Sequence, residues 1–263
     1  MSTLASRIRS AAHSAFNELR GRPLAAAADR MRNTIIASDA DQRIAQSVRG
    51  QTMTNPLRVH ALLDAVAYVC DRRIPGAFVE CGVWRGGSVL AMLLKLLDLG
   101  ITDRDIYLYD TFEGMTAPTE NDTSAFEASA LDTWQSAQSE GKRGWDQMFS
   151  AEVYTLDTVK SLLASSGYPT ARLHFVQGPV EQTIPGTLPD SIALLRLDTD
   201  WYESTRHEME HLYPRLASGG VLIIDDYGHW EGCRKAVDEY FGTQAPRPLL
   251  NRIDYNARIA VKT

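Results

Sequence analysis

From residue 77 onward the chain alternates two patterns of hydrophobic and polar positions. Short apolar runs occupy residues 77–81, 105–109, 172–176, 192–197 and 221–224. Residues 87–99, 155–166, 202–216 and 231–241 lie between them and read as helices. Apolar strands separated by helices predict a mostly parallel sheet covered on both faces, the doubly wound α/β class. The tail departs from this rhythm. Residues 247–253 and 257–262 flank Asp254–Tyr255–Asn256 and predict a hairpin that completes a seven-stranded sheet.

Upstream, Asn55–Pro56 reads as an N-cap followed by proline at the first helical position, opening a helix to about Arg72. Residues 1–50 read as short helices joined by polar turns. The expected organisation is therefore a helical extension at residues 1–72, packing on the core or on a partner subunit, and a catalytic domain at 73–263. One stretch inside that domain, from Thr111 to Gly144, is long and rich in Ser, Thr, Asp and Glu. It follows the carboxyl end of a strand, where such sheets bind ligands, and predicts a lid over residues 111–150.

Composition narrows the class. With 263 residues, 44% of them hydrophobic, the chain can bury one large core. Its most apolar helix is broken by Lys95 and Asp98, so no membrane span is expected. A net charge of −6 argues against nucleic acid as a partner. Three widely spaced cysteines, Cys70, Cys81 and Cys233, suit neither a disulfide framework nor a zinc site and point to the cytoplasm. Residues 1–33 carry six Arg against two acids, which fits a transit peptide or an amphipathic helix. Ile8, Ala12, Phe16 and Leu19, at helical spacing, favour the helix.

Candidate chemistry gathers at the strand ends. The first strand runs into Glu80–Cys81–Gly82–Val83–Trp84–Arg85–Gly86–Gly87–Ser88. Glycines there let a ligand approach the backbone, and the next helix offers free N–H groups to a carboxylate; a plain tight turn has the same look. Asp110 ends the second strand, suited to ribose hydroxyls or to capping a turn. Most informative are Asp198 and Asp200 after one strand and Asp225 and Asp226 after the next. Four acids on one edge repel unless a cation neutralises them, and a hard divalent ion such as Mg²⁺ suits oxygen ligands. Such an ion could hold a substrate hydroxyl and lower its pKa. The alternative is a set of helix caps and solvated turn acids. His207–Glu208–Met209–Glu210–His211 matches H-E-x-x-H, the zinc-protease pattern, but no third ligand is evident. Surface histidines among salt-bridging acids explain it better. His229 and Trp230 either line a substrate pocket or pack against the last helix.

The blocks Gln51–Thr52–Met53, Phe78–Val79–Glu80–Cys81–Gly82–Val83–Trp84–Arg85–Gly86–Gly87–Ser88 and Tyr109–Asp110–Thr111–Phe112–Glu113–Gly114–Met115 carry a resemblance. So do Phe175–Val176–Gln177–Gly178, Leu197–Asp198–Thr199–Asp200–Trp201–Tyr202–Glu203–Ser204–Thr205, Leu212–Tyr213–Pro214–Arg215–Leu216 and Gly219–Gly220–Val221–Leu222–Ile223–Ile224–Asp225–Asp226–Tyr227–Gly228. In this order they resemble the macrocin O-methyltransferase family of sugar O-methyltransferases. The resemblance implies a class I, Rossmann-like methyltransferase fold, S-adenosylmethionine and Mg²⁺ as cofactors, and a homodimer or larger oligomer. It implies Asp198, Asp225 and Asp226 as metal ligands and Asp200 as general base. Thr52 and Met53 would close over the cofactor, and Glu80, Gly82 and Ser88 would meet its methionine part, with Gly86 in the glycine turn. Asp110 would bind the ribose, and Phe112, Gln177 and Gly178 would flank the adenine. A sugar hydroxyl on a glycoside, oligosaccharide or natural product would be the acceptor. Two other readings share these features: a metal-dependent catechol-type O-methyltransferase, and a binding module that holds cofactor or sugar without turnover.

Overall fold

The computed structural model describes residues 37–263 apart from residues 151 and 244, so the expected helix at Ile8, Ala12, Phe16 and Leu19 lies outside the described residues. Helix α1 (Asp39–Ser47) is the first described element. All later elements lie in the unit Ile44–Thr263, the larger of two units into which the chain divides; the other is Met1–Arg43. No helix among the described residues is long and apolar enough to cross a membrane.

Helix α2 (Pro56–Asp71) starts as its sequence predicts: the Asn55 side chain accepts from Arg58 N, and Pro56 fills the first helical position. There follow β1 (Ala77–Cys81), α3 (Gly87–Asp98) and β2 (Ile106–Asp110). Then come α4 (Ala130–Ser139), α5 (Asp146–Phe149), α6 (Leu156–Ala164), β3 (Leu173–Gln177), α7 (Val180–Thr183) and β4 (Ile192–Leu197). The chain ends with α8 (Tyr202–His211), β5 (Leu216–Ile224), α9 (Glu231–Thr243), β6 (Asn251–Arg252) and β7 (Arg258–Val261).

The seven strands form one sheet in the order β3-β2-β1-β4-β5-β7-β6. The first five are parallel, and β7 closes the sheet antiparallel to β5 and β6. Alternation along each inner strand sends neighbours to opposite faces. Phe78, Leu108, Leu194 and Ile223 join Val59, Leu62, Val66 and Met92 in one buried layer. Val79, Tyr109, Leu195 and Ile224 join Met209, Leu212, Cys233 and Val237 in the other. Helix α2, on the N-terminal side of the expected division at 72/73, thus shares a core with the sheet.

One expected element ends early. The helix anticipated through residue 216 stops at His211, a 3₁₀ turn covers Tyr213–Arg215, and Leu216 already begins β5. Pro214 is the physical reason, because it lacks the N–H that would continue the helix. The stretch expected as a lid is not structureless either. It contains α4 and α5, and Asp122 fastens it to the start of α8 by accepting from Tyr202 N at 2.7 Å.

Strand order reverses between β1 and β4, the switch point at which a crevice opens beyond the carboxyl ends. Pairing continues one residue past the strands there: Gly82 N donates to Tyr109 O, Asp198 N to Cys81 O and Asp225 N to Leu197 O, each at 2.9 Å. Gly82 has φ +83°, and a Cβ on it would lie 1.9 Å from Asp198 O. Only glycine lets the two chains approach so closely.

Candidate active site at the carboxyl edge

A cavity of about 470 Å³ opens at this switch point. Of the residues anticipated for the site, Thr52, Met53, Gly82, Ser88, Asp110, Gly178, Asp198, Asp200, Asp225, Asp226, His229 and Trp230 line it. Four others lie off its wall. Glu80 is buried beneath the edge, Gly86 caps α3 in a left-handed conformation, Phe112 is buried beside Phe175, and Gln177 is exposed on β3. From the stretch expected as a lid, Thr116, Glu127, Trp145 and Met148 also reach the cavity.

On the glycine-turn side, Asp110 joins two strand ends. One oxygen of Asp110 accepts from Val83 N at 2.6 Å and Trp84 N at 2.9 Å, and the other from Phe112 N at 2.6 Å and the Tyr154 hydroxyl at 3.4 Å. Burial raises the Asp110 pKa, and these four donors pull it back. Its carboxylate buckles the turn after β1 to the end of β2.

The acidic side is organised by two arginines that the sequence reading missed. Arg196, buried in β4, donates to Glu80, to Asp198 at 2.8 Å, to Asp225 at 2.7 Å and to Thr54 Oγ1 at 3.0 Å. Arg58, in the first turn of α2, spans Asp225 at 2.5 Å and Asp254 at 2.7 Å. Part of the neutralising charge expected for the four acids is thus the protein's own: two guanidinium groups already take it. A single arginine inside an otherwise apolar strand was the available signal, since a buried charge requires partners.

Charge is left over. Among the described residues, neither Asp200 nor Asp226 makes an ion pair, and Asp226 Oδ2 is buried with no hydrogen-bond partner. Burial, then neighbouring carboxylates, pushes both groups well above the usual carboxylate range. Burial also moves Glu80 up to about 8 and Asp198 up to about 7, and Arg196 offsets each only in part. Asp198, Asp225 and Asp226 offer ligand oxygens that all lie within 4.8 Å of one another. An all-oxygen set with one partnerless buried atom fits a hard divalent cation.

Asp200 is held differently. Its φ is +66°, uncommon outside glycine and costing on the order of 1–3 kcal/mol. Trp230 Nε1 donates to its Oδ1 at 2.8 Å, while the Trp230 ring meets Trp201 edge-on at 4.9 Å. Trp230 thus both lines the cavity and packs against the neighbouring Trp201 ring. His229 lies between Glu127, 3.1 Å from its Nε2, and the Tyr255 hydroxyl, 3.2 Å from its Nδ1.

Among the described residues, the H-E-x-x-H stretch joins no group that could hold a metal ion. His207 Nε2 lies 2.9 Å from Ile184 O and His211 Nδ1 lies 2.9 Å from His207 O. Their rings stack at 4.2 Å, and both are half-buried rather than on the surface as anticipated. The intervening Glu208 is fully buried against the sheet.

The sequence profile of the macrocin O-methyltransferase (TylF) family matches residues 18–260. The chain belongs to this family. It is an S-adenosylmethionine-dependent O-methyltransferase, as the family's members are. Among family relatives, it is 33% identical over 203 residues to the 8-demethyl-8-(2,3-dimethoxy-alpha-L-rhamnosyl)-tetracenomycin-C 4'-O-methyltransferase of Streptomyces olivaceus, a match covering 77% of this chain and 72% of that one. It is 31% identical over 192 residues to the mycinamicin III 3''-O-methyltransferase of Micromonospora griseorubida, covering 72% and 69%. The solved structure of the O-methyltransferase NovP superposes with a TM-score of 0.68 at 28% identity, covering 81% of this chain and 82% of that one. The macrocin O-methyltransferase assignment thus extends across both the glycine turn and the acidic edge.

Proposed function

We propose that this O-methyltransferase acts on a sugar hydroxyl of a glycosylated natural product, with a divalent cation, Mg²⁺ by preference, on the acidic edge. The observation that carries the metal is the oxygen triad of Asp198, Asp225 and Asp226 with its partnerless Asp226 Oδ2. Support for the sugar comes from the tetracenomycin relative, whose substrate carries an alpha-L-rhamnosyl group.

When bound, S-adenosylmethionine supplies an electrophilic methyl group and the divalent ion a Lewis acid that lowers the acceptor's pKa. The chain does the rest. Gly82, Ser88 and the start of α3 receive the methionine part, above Glu80, whose Oε2 is buried without a partner among the described residues. Gly86 keeps the turn open, Thr52 and Met53 close over it, and Asp110 with Phe112, Gln177 and Gly178 frames the nucleoside. Asp200 would accept the proton of the acceptor hydroxyl and so leave its oxygen as the nucleophile toward the methyl group that the cofactor would supply. The 111–150 stretch acts as a lid, and His229 and Trp230 bound the sugar. Holding the reactants in line is the largest contribution, since effective molarities reach about 10⁵ M or more.

The decisive assay offers labelled S-adenosylmethionine with deoxysugar glycosides, with and without chelator. Label in a sugar methyl ether, lost with chelator and restored by Mg²⁺, supports the reading; label transferred only to catechols contradicts it. Self-association as a homodimer or larger oligomer and a cytoplasmic location complete the proposal. Free Cys70, Cys81 and Cys233 suit a reducing compartment, and light scattering tests the oligomer.

A further inference from the structure

The turn that presents Asp200 is strained. Trp201 N donates to Thr199 O at 2.7 Å, across Asp200 with its φ of +66°. A bond from residue i+2 back to i around a positive φ is the rare hand of the γ-turn. Such conformations persist only where the surroundings fix them. From the cavity side, Trp230 Nε1 holds Asp200 Oδ1. From beneath, Thr199 Oγ1 donates to the carboxyl group of Glu208, 3.0 Å from one oxygen and 3.1 Å from the other. Ser204 Oγ adds a longer bond of 3.3 Å to Thr199 O.

Glu208 is the acid of the H-E-x-x-H stretch. It has 0% exposure, and its near contacts are Thr199 and the Cys81 thiol. Burial drives its pKa well above the usual carboxylate range. A carboxyl in the layer between α8 and the sheet costs more than a leucine of similar volume, unless its hydrogen bonds are put to use. The use available here is directional. A leucine would fill the space but leave the Thr199 hydroxyl without a fixed partner.

We propose that Glu208 is a positioning residue for methyl transfer: through Thr199 Oγ1 it holds the strained turn that aims Asp200 at the acceptor hydroxyl. This rests on the reading of Asp200 as proton acceptor, but the grip itself can be measured without substrate. The chain has five tryptophans, so the indole N–H resonance of Trp230 can be assigned by Trp230→Phe in nitrogen-labelled protein bound to S-adenosylhomocysteine.

Thr199→Val and Glu208→Leu each remove one side of the grip at nearly constant volume, and Glu208→Gln keeps an acceptor for the threonine. In the first two the Trp230 indole resonance should shift and its N–H exchange faster, while Glu208→Gln should resemble wild type. With an acceptor that turns over, kcat should fall roughly 10- to 100-fold in the first two, the scale expected for a misplaced group, with KM little changed. Glu208→Gln should restore most of the rate. If Glu208→Leu fails to fold, Thr199→Val carries the same test alone. An unmoved indole resonance in Thr199→Val overturns the grip. A shifted resonance with an unchanged kcat overturns the role in transfer. If Asp200→Asn itself keeps the wild-type rate, the base assignment fails instead, while the indole data still decide whether Glu208 holds the turn.

Discussion

The two halves of the carboxyl edge are built on opposite principles. Beyond β1 and β2, the Asp110 carboxylate meets four donors of the protein and ties the glycine turn to the end of β2. Beyond β4 and β5, Arg58 and Arg196 neutralise only part of the acid they touch. Asp226 keeps a partnerless oxygen, and Asp200 sits in a strained turn. A turn tied down by its own carboxylate can be complementary to a ligand before it arrives. An edge with surplus carboxylate is complementary to a cation, and its strain and raised pKa values mark the place where proton chemistry belongs.

The comparison can be broken in order of expected effect. Excess chelator should abolish methyl transfer and added Mg²⁺ should restore it, while S-adenosylhomocysteine affinity, a property of the other half, stays nearly constant by calorimetry. Full activity in chelator would remove the metal from the account. Next, Asp200→Asn should keep cofactor binding and lower kcat by about 10² to 10⁴, the usual loss for a general base. Its residual rate should rise with pH as hydroxide replaces the missing group. A loss of only a few-fold when chemistry limits turnover would leave metal activation as sufficient.

Asp110→Asn strikes the glycine-turn half. It removes acceptors from buried backbone N–H groups, so denaturant unfolding should show a loss of about 1–3 kcal/mol. S-adenosylhomocysteine should bind more weakly, with metal affinity unchanged. A smaller effect is expected at Asp254. Burial raises its pKa, but bonds from Ala257 N, Arg58 and Asn55 win and hold it below the usual range. A lowered folded-state pKa contributes stability that is present above the unfolded pKa and lost as pH falls through the folded one. The melting-temperature gap between wild type and Asp254→Asn should therefore be full at neutral pH and close below about pH 4. A gap that widens in acid would contradict the assignment. Smallest of all, His207→Ala with His211→Ala should leave turnover nearly intact.

What the sequence made legible, and what it hid, follows from range. The β–α alternation and the acids after β4 and β5 are local patterns, so periodicity placed them on one edge once the strands were taken as adjacent. Asn55 and Pro56 declared a helix start for the same reason. Arg58 could not be placed this way, because its partners Asp225 and Asp254 lie 167 and 196 residues away. Arg196 was visible as one charge in an apolar strand, but its pairing with Glu80 depends on register between β1 and β4. Glu208 was obscured by a motif that looked like zinc chemistry; its burial depends on which face α8 turns to the sheet. The early end of that helix was signalled by Pro214, which lies inside the stretch 202–216 read as one helix.

The central claim is that Asp198, Asp225 and Asp226 bind the cation while Asp200 is left free to take a proton. Mn²⁺ titration followed by electron paramagnetic resonance, on wild type, Asp200→Asn and Asp226→Asn, tests it without any acceptor. The account predicts near-equal affinity for wild type and Asp200→Asn, with Asp226→Asn weaker by roughly ten-fold or more, as expected for a lost ligand. Asp200→Asn binding as poorly as Asp226→Asn would make Asp200 a ligand and contradict the account.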